Sequence, residues 1–174
     1  RNDGGFNYTY QDYTARNELY RVWGDVPQPT EYGYDSTYGE RVSLSTFQGG
    51  SGWSGATWPS NTGRVDTTTW SYHPATGLLE HKIYADTTAI DYTYTADGRT
   101  KTRTWARSSG GTRITTTYAY YGESQGERNT GEMKLITYGD GTPAVTYAYT
   151  RSGRLLTVVD DAGTRTFGYD SATL

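Results

Sequence analysis

His73 and His81 are the only histidines in the chain, and they are the first places to look for a general base or a metal ligand. His73 precedes Pro74 in a turn-like phrase, and His81 sits inside an alternating, strand-like run. Cysteine is absent, and no acidic cluster at ligand spacing accompanies either imidazole, so neither a metal site nor a catalytic base is expected there. "DDAGT" (160–164) and "GDGT" (139–142) have the acid and glycine content of calcium loops but lack the alternating ligands that close on a Glu. They read as turns. "GGSGW" (49–53) misses the spacing of a nucleophile elbow, and "NYT" (7–9) fits a glycosylation sequon. Aromatic chemistry is what remains. Trp53 and Trp58, with Trp70 nearby, would offer a stacking platform for the sugar rings of a surface glycan. The competing reading is that Trp53 and Trp58 pin the Gly/Ser-rich insert of residues 47–65 against a sheet. Rows of tyrosine suggest electron hopping or dityrosine crosslinks, but cross-strand aromatic and Thr pairs explain them structurally, at roughly 0.2–1 kcal/mol each. The chain is expected to be non-enzymatic and to need no cofactor and no metal.

The elements that carry these residues follow from composition. Among 174 residues there are 18 Tyr and 22 Gly, and mean hydropathy is −0.81, so aliphatic packing is scarce and rings must fill any core. Disorder is excluded because aromatic and β-branched residues are abundant. A net charge of −3 and a pI near 5.3, with basic residues scattered among acids, argue against nucleic acid as a partner. Leu155–Val159 is the longest aliphatic-like run and is too short to span a bilayer. "RNDGGFNYTY" (1–10) does not read as a signal peptide, and without an initiator Met the chain reads as a processed product or an excerpt.

Aromatic residues two apart recur at Tyr8/Tyr10, Tyr32/Tyr34, Trp70/Tyr72, Tyr92/Tyr94, Tyr118/Tyr120, Tyr147/Tyr149 and Phe167/Tyr169. Most pairs are followed by a turn ending in Gly and then by a second extended run, as in "YTYTADGRTKTRTW" (92–105). Residues i and i+2 of a strand share a face, so each pair sets two rings side by side. Asp97-Gly98 and Asp140-Gly141 suit type I′ hairpin turns, in which both central residues need positive φ. Thr76-Gly77, Thr130-Gly131, Ser152-Gly153 and Ala162-Gly163 place glycine comparably. Each unit reads as a hairpin of roughly twenty residues, marginal alone, so the units must stack edge to edge. In "TRITTTYAY" (112–120), Ile114, Thr116, Tyr118 and Tyr120 share one face. "RTKTRTWAR" (99–107) is polar on both faces, which suits an open curved wall or the lining of a wide cavity. Only "TARNELYRVW" (14–23) could hold a helical turn or two, and its end reads equally well as a strand.

This pattern resembles the YD repeats of Rhs-type bacterial proteins, the related shells of insecticidal toxin complexes, and the teneurins. The phrases that carry the resemblance are Tyr34-Asp35, Tyr169-Asp170 and Gly153-Arg154-Leu155, over about Tyr32 to Leu174. It implies an all-β fold of tandem YD-type hairpins stacked edge to edge into one extended, curved antiparallel sheet. In better-known relatives that sheet closes around a toxin or other C-terminal cargo. The Asp-Pro signature tied to self-cleavage at the end of Rhs cores does not occur here. Residues 1–174 are accordingly read as one segment of a repeat array, less regular over 1–30, with the insert at 47–65 and the clearest repeats over 66–174. "FGYDSATL" (167–174) has the aromatic pair without a returning strand, so the expected partners are neighbouring repeats or further copies joined through exposed strand edges. The expected role is mechanical (wall, stalk or fibre), secreted or at the cell surface, and not membrane-spanning. A glycan-binding adhesion module is the alternative.

Overall fold

The computed structural model describes residues 5–124, 126 and 130–170. Residues 1–4 of the opening phrase and 171–174 of the closing half-unit lie outside the described residues. Every regular element among those described is a strand. The first of two compact units, Arg1–Ala89, holds β1 (Thr9–Tyr13), β2 (Leu19–Gly24), β3 (Thr30–Tyr34), β4 (Arg41–Ser51), β5 (Asn61–Tyr72) and β6 (Leu79–Ile83). The second, Ile90–Leu174, holds β7 (Ala89–Tyr94), β8 (Thr100–Ser109), β9 (Thr112–Tyr120), β10 (Met133–Tyr138), β11 (Val145–Tyr149), β12 (Leu155–Asp160) and β13 (Gly163–Thr166). Strand order is chain order, and the pairing is antiparallel throughout each unit, so the chain is the open all-β ladder of stacked hairpins that its periodicity implies. The ambiguous stretch 14–23 resolves into a turn followed by β2.

The aromatic pairs mark strand ends. Tyr32/Tyr34, Trp70/Tyr72, Tyr92/Tyr94, Tyr118/Tyr120 and Tyr147/Tyr149 close β3, β5, β7, β9 and β11, and Phe167/Tyr169 follows β13 directly. The opening pair differs: Tyr8/Tyr10 stands at the start of β1, and Tyr13 occupies its last position.

The turns depart from the type I′ expectation. At four of them, residue X donates its N–H to the carbonyl of X+4 at 2.8 Å, and the N–H of X+3 returns to the carbonyl of X. The starting residues are Thr14, Tyr84, Thr95 and Thr150. Only X+3 is left-handed (Asn17, Thr87, Gly98 and Gly153), so Asp97 keeps an ordinary backbone and Gly98 alone, at φ 86°, takes the strain. A hydroxyl fixes the turn where X is threonine: Thr14, Thr95 and Thr150 accept the N–H of Glu18, Arg99 and Arg154 through Oγ1. The loop with two left-handed centres is Gly110-Gly111, between the paired Ser109 and Thr112.

Thr87 is the exception with a physical cost. A β-branched residue at φ 69° is a steric outlier. Replacing Thr87 with Gly removes a penalty of about 1–2 kcal/mol and adds about 0.5–1 kcal/mol of unfolded-state entropy. Thr87→Gly should therefore raise the urea midpoint slightly, and a lowered midpoint would show that the threonine side chain compensates for its backbone.

The ladder slips by one residue at the last ring of five odd-numbered strands, between Asp12/Tyr13, Gly33/Tyr34, Ser71/Tyr72, Thr93/Tyr94 and Ala148/Tyr149. Each slip is a β-bulge that leaves the second residue of the partner strand unpaired (Tyr20, Val42, Glu80, Lys101 and Leu156). The bulge at Lys101 breaks the simple alternation expected for residues 99–107: Arg103 pairs with Tyr92, and Thr100 with Tyr94.

Packing is thin. The buried large apolar side chains among the described residues are Trp23 in the first unit and Ile90, Ile114 and Tyr120 in the second. The face of β9 shared by Ile114, Thr116, Tyr118 and Tyr120 is the inner one, with Tyr118 half-buried and the other three buried, and the Thr116 hydroxyl accepts from Trp105 Nε1 at 2.9 Å. With so little aliphatic burial, ring edges, hydroxyls and cations carry much of the cohesion.

Candidate functional site

The recurring arrangement is a bond from a tyrosine hydroxyl to a bulge carbonyl. Tyr34 donates to Leu19 O at 2.8 Å, Tyr72 to Arg41 O at 2.9 Å, Tyr120 to Thr100 O at 2.8 Å and Tyr169 to Leu155 O at 2.7 Å. In every case the donor is the second ring of a pair, and the acceptor is the first residue of the preceding even-numbered strand. Those acceptors lie opposite Tyr13, Tyr34, Tyr94 and Tyr149, where the ladder slips. A bulge disrupts the regular backbone bonding, and the phenol of the next strand supplies a donor. This is why the repeat favours tyrosine over phenylalanine. Burial pushes the hydroxyls of Tyr72 and Tyr120 above the usual phenol range, which keeps them protonated and donating.

Cations cover many of these rings. Arg41 lies 4.5 Å from the Tyr32 centroid, Arg99 4.2 Å from Tyr120, Arg103 3.6 Å from Trp105, and Arg154 5.2 Å from Tyr169. The polar look of residues 99–107 thus serves packing, because guanidinium planes stack on rings and shed little hydration. Facing hydroxyls add a second ladder: Ser45–Thr67 at 2.9 Å, Thr93–Thr102 at 2.6 Å and Thr104–Thr115 at 2.9 Å.

The three tryptophans singled out in the sequence do not form one platform. Trp58 packs edge-on to Trp23 at 5.5 Å and to Phe47 at 5.7 Å, with Arg21 4.6 Å over its ring. Arg21 is held in turn by Glu31 at 2.6 Å. Trp53 donates Nε1 to Asn61 O at 3.3 Å and lines an open depression of about 670 Å³ with Asn7, Asp25, Val26 and Gln28. Trp70 lines a different depression with Tyr38 and Tyr72. The insert is largely a longer hairpin: Phe47–Ser51 extends β4, Asn61–Val65 extends β5, and the loop between them is tied to β2 by Trp23 Nε1 donating to Gly55 O at 2.9 Å. Trp23 and Arg21 were not singled out in the sequence. The available signal was an Arg and a Trp at i and i+2 facing a Trp-bearing loop.

His73 starts a turn, its Nδ1 accepting from Ala75 N–H at 3.2 Å, and His81 is exposed opposite Ser71. Among the described residues no group of three or more His, Cys, Asp or Glu is placed to hold a metal ion. The acidic turns serve the backbone, with Asp140 Oδ1 accepting from Thr142 N–H and Asp160 Oδ1 from Ala162 N–H. No helix of the described residues is long and apolar enough to cross a membrane.

Asp97 is the most perturbed of the turn acids. Arg99, bonded at 2.7 Å, and Thr95 hold its carboxyl down to about 2, from an ordinary 3.8. Asp35, Asp86 and Asp140 are lowered by their own turn hydrogen bonds. A depressed folded value means that the stabilisation is complete above the ordinary value and lost as pH falls toward 2. The urea midpoint should fall steadily from about pH 4 to pH 2. Asp97→Asn should flatten part of that slope, and an unchanged slope would remove Asp97 from the explanation.

Fold and site together define a tandem repeat of antiparallel hairpins joined by tyrosine-to-carbonyl bonds. No family model matches the chain, and no curated protein matches it. Among solved structures it is similar to the TcdB2-TccC3-Cdc42 crystal structure, at 17% identity and a TM-score of 0.47 over 94% of this chain and 10% of that one. TcdB2-TccC3-TEV gives 16% and 0.47 over the same shares. TcdB2-TccC3 without its hypervariable C-terminal region gives 17% and 0.42, over 89% and 9%. The chain spans about a tenth of the length of these proteins.

Proposed function

We propose that the chain is a structural β-repeat scaffold without enzymatic activity, forming part of a secreted or cell-surface YD/Rhs-like shell or of a self-assembling extracellular filament. The observation that supports this is the repetition of one tyrosine-to-carbonyl bond at four hairpins. These side chains tie each hairpin to the one before it and do not converge on a common point. The partners are neighbouring repeats or further copies joined through backbone edges, with a toxin cargo following from the YD-repeat resemblance alone. Electron microscopy of the native particle is the test: walls or fibres built from the chain are the expected result, and a dispersed monomer at every concentration overturns the reading.

A glycan-binding adhesion module is the second reading, and Trp53 supports it because its ring borders an open depression. Trp53→Ala should then abolish retention on a glycan array while the fold survives. Trp58→Ala is a poorer probe, since its ring is already packed on Trp23 and Phe47.

A further inference from the structure

In two hairpins the residue after the left-handed turn glycine is an arginine, Arg99 after Gly98 and Arg154 after Gly153. Each lays its guanidinium over the tyrosine latched to the very next residue. Arg99 covers Tyr120, which is bonded to Thr100, and Arg154 covers Tyr169, which is bonded to Leu155. In the hairpin of β3 and β4 the same position, after Gly39, is Glu40, and the tyrosine latched to the next residue, Arg41, is Tyr72. A carboxylate therefore stands where those two hairpins put a cation, as Glu18 does before Leu19, the residue to which Tyr34 is latched.

No Lys or Arg among the described residues stacks on the Tyr72 ring, although the charge of Arg41 acts on its hydroxyl, more weakly than that of Glu40. Arg41 is turned onto Tyr32 and Tyr34, at 4.5 and 5.9 Å, and Lys82 lies over Trp70 and Tyr84. Among the described residues the Glu40 carboxylate makes no hydrogen bond or ion pair, whereas Glu18, at the matching position one hairpin earlier, is held by Thr14 Oγ1 at 2.8 Å. Beside Tyr72 opens a depression of about 760 Å³ bordered by Tyr38, Glu40, Trp70 and Pro74, with no Lys or Arg in its lining. Tyr38 is 77% exposed there.

We propose that this depression binds a guanidinium group from outside the chain, carried by free arginine or by an arginine side chain of a peptide. The plane of the cation stacks on the Tyr72 ring and its charge is met by Glu40, reproducing the internal Arg99–Tyr120 arrangement. A guanidinium suits the site better than an ammonium because it is planar and weakly hydrated. The proposal does not depend on the scaffold reading, since a negative titration leaves particle morphology untouched and the reverse also holds.

The test is an amide-resolved NMR titration of the whole chain with arginine amide, lysine amide and the tripeptide Gly-Arg-Gly. Saturable shifts at Tyr38, Tyr72 and Gly77 are expected, with dissociation constants in the range of about 1 mM. Tighter binding of the tripeptide than of arginine amide assigns the site to a peptide side chain, and equal binding assigns it to the free group. Glu40→Gln should weaken binding about tenfold. Glu40→Arg should abolish it, because the built-in guanidinium would occupy the ring. If Glu40→Arg fails to fold, Glu40→Gln carries the test. Equal binding of lysine amide, undiminished binding by either variant, or shifts spread over all the rings would overturn the proposal.

Discussion

Trp23→Ala is expected to remove about 3–5 kcal/mol of stability, the largest loss from any single substitution in the first unit. Trp23 is 3% exposed, stacks on Tyr10 at 5.6 Å, meets Trp58 edge-on and donates Nε1 to Gly55 O at 2.9 Å. Truncation leaves a cavity, strands a loop carbonyl and removes the surface on which Trp58 rests. The loop of residues 52–60 should become sensitive to limited proteolysis at denaturant concentrations where β4 and β5 still protect their amides. Trp23→Phe keeps much of the stacking but loses the Gly55 bond, at about 1–2 kcal/mol. A loss below about 1 kcal/mol for the alanine variant would show that the tryptophan cluster merely decorates the sheet.

Tyr120 separates ring from hydroxyl. Tyr120→Phe leaves the Thr100 carbonyl without the phenol donor and should cost about 1–2 kcal/mol. Tyr120→Ala also removes a ring that is 8% exposed and stacked under Arg99, and should cost about 3–5 kcal/mol. Tyr118→Phe is the control, with a change within about 0.5 kcal/mol, because its hydroxyl makes no hydrogen bond among the described residues. The linkage has a definite sign. Burial first, opposed by Arg99 and reinforced by Glu123, raises the folded phenol above its ordinary 10.0. Its stabilisation is therefore complete below that value and lost as pH climbs through the raised one. Parent and Tyr120→Phe should converge in urea midpoint at strongly alkaline pH, and parallel curves would mean that burial does not raise the Tyr120 phenol.

Much of the fold was legible because its signals are local. The i, i+2 rings, the Thr-rich alternation of β8 and β9 and the glycines after most pairs act over a few residues. The ends of β3, β5, β7, β9 and β11 accordingly fall on the marked pairs. The turn at Asp97-Gly98 was placed correctly but given the wrong type. One left-handed residue followed by a bulge satisfies the same dipeptide, and only the strand register distinguishes the two.

The candidate sites were less legible. Trp53, Trp58 and Trp70 are near in sequence, yet extension of β4 and β5 sends them to separate places. The hydroxyl-to-carbonyl bonds join residues 14 to 31 apart, and the intervening turn and bulge determine which carbonyl meets which phenol. The amino-acid order by itself determined strand, turn and repeat, since backbone propensity and the two-residue period act over neighbouring positions. The pairing of tyrosines with bulge carbonyls, the burial of Trp23 and the carboxylate beside Tyr72 were decided only by the tertiary structure. A one-residue slip in register redirects every such contact while leaving the local pattern unchanged.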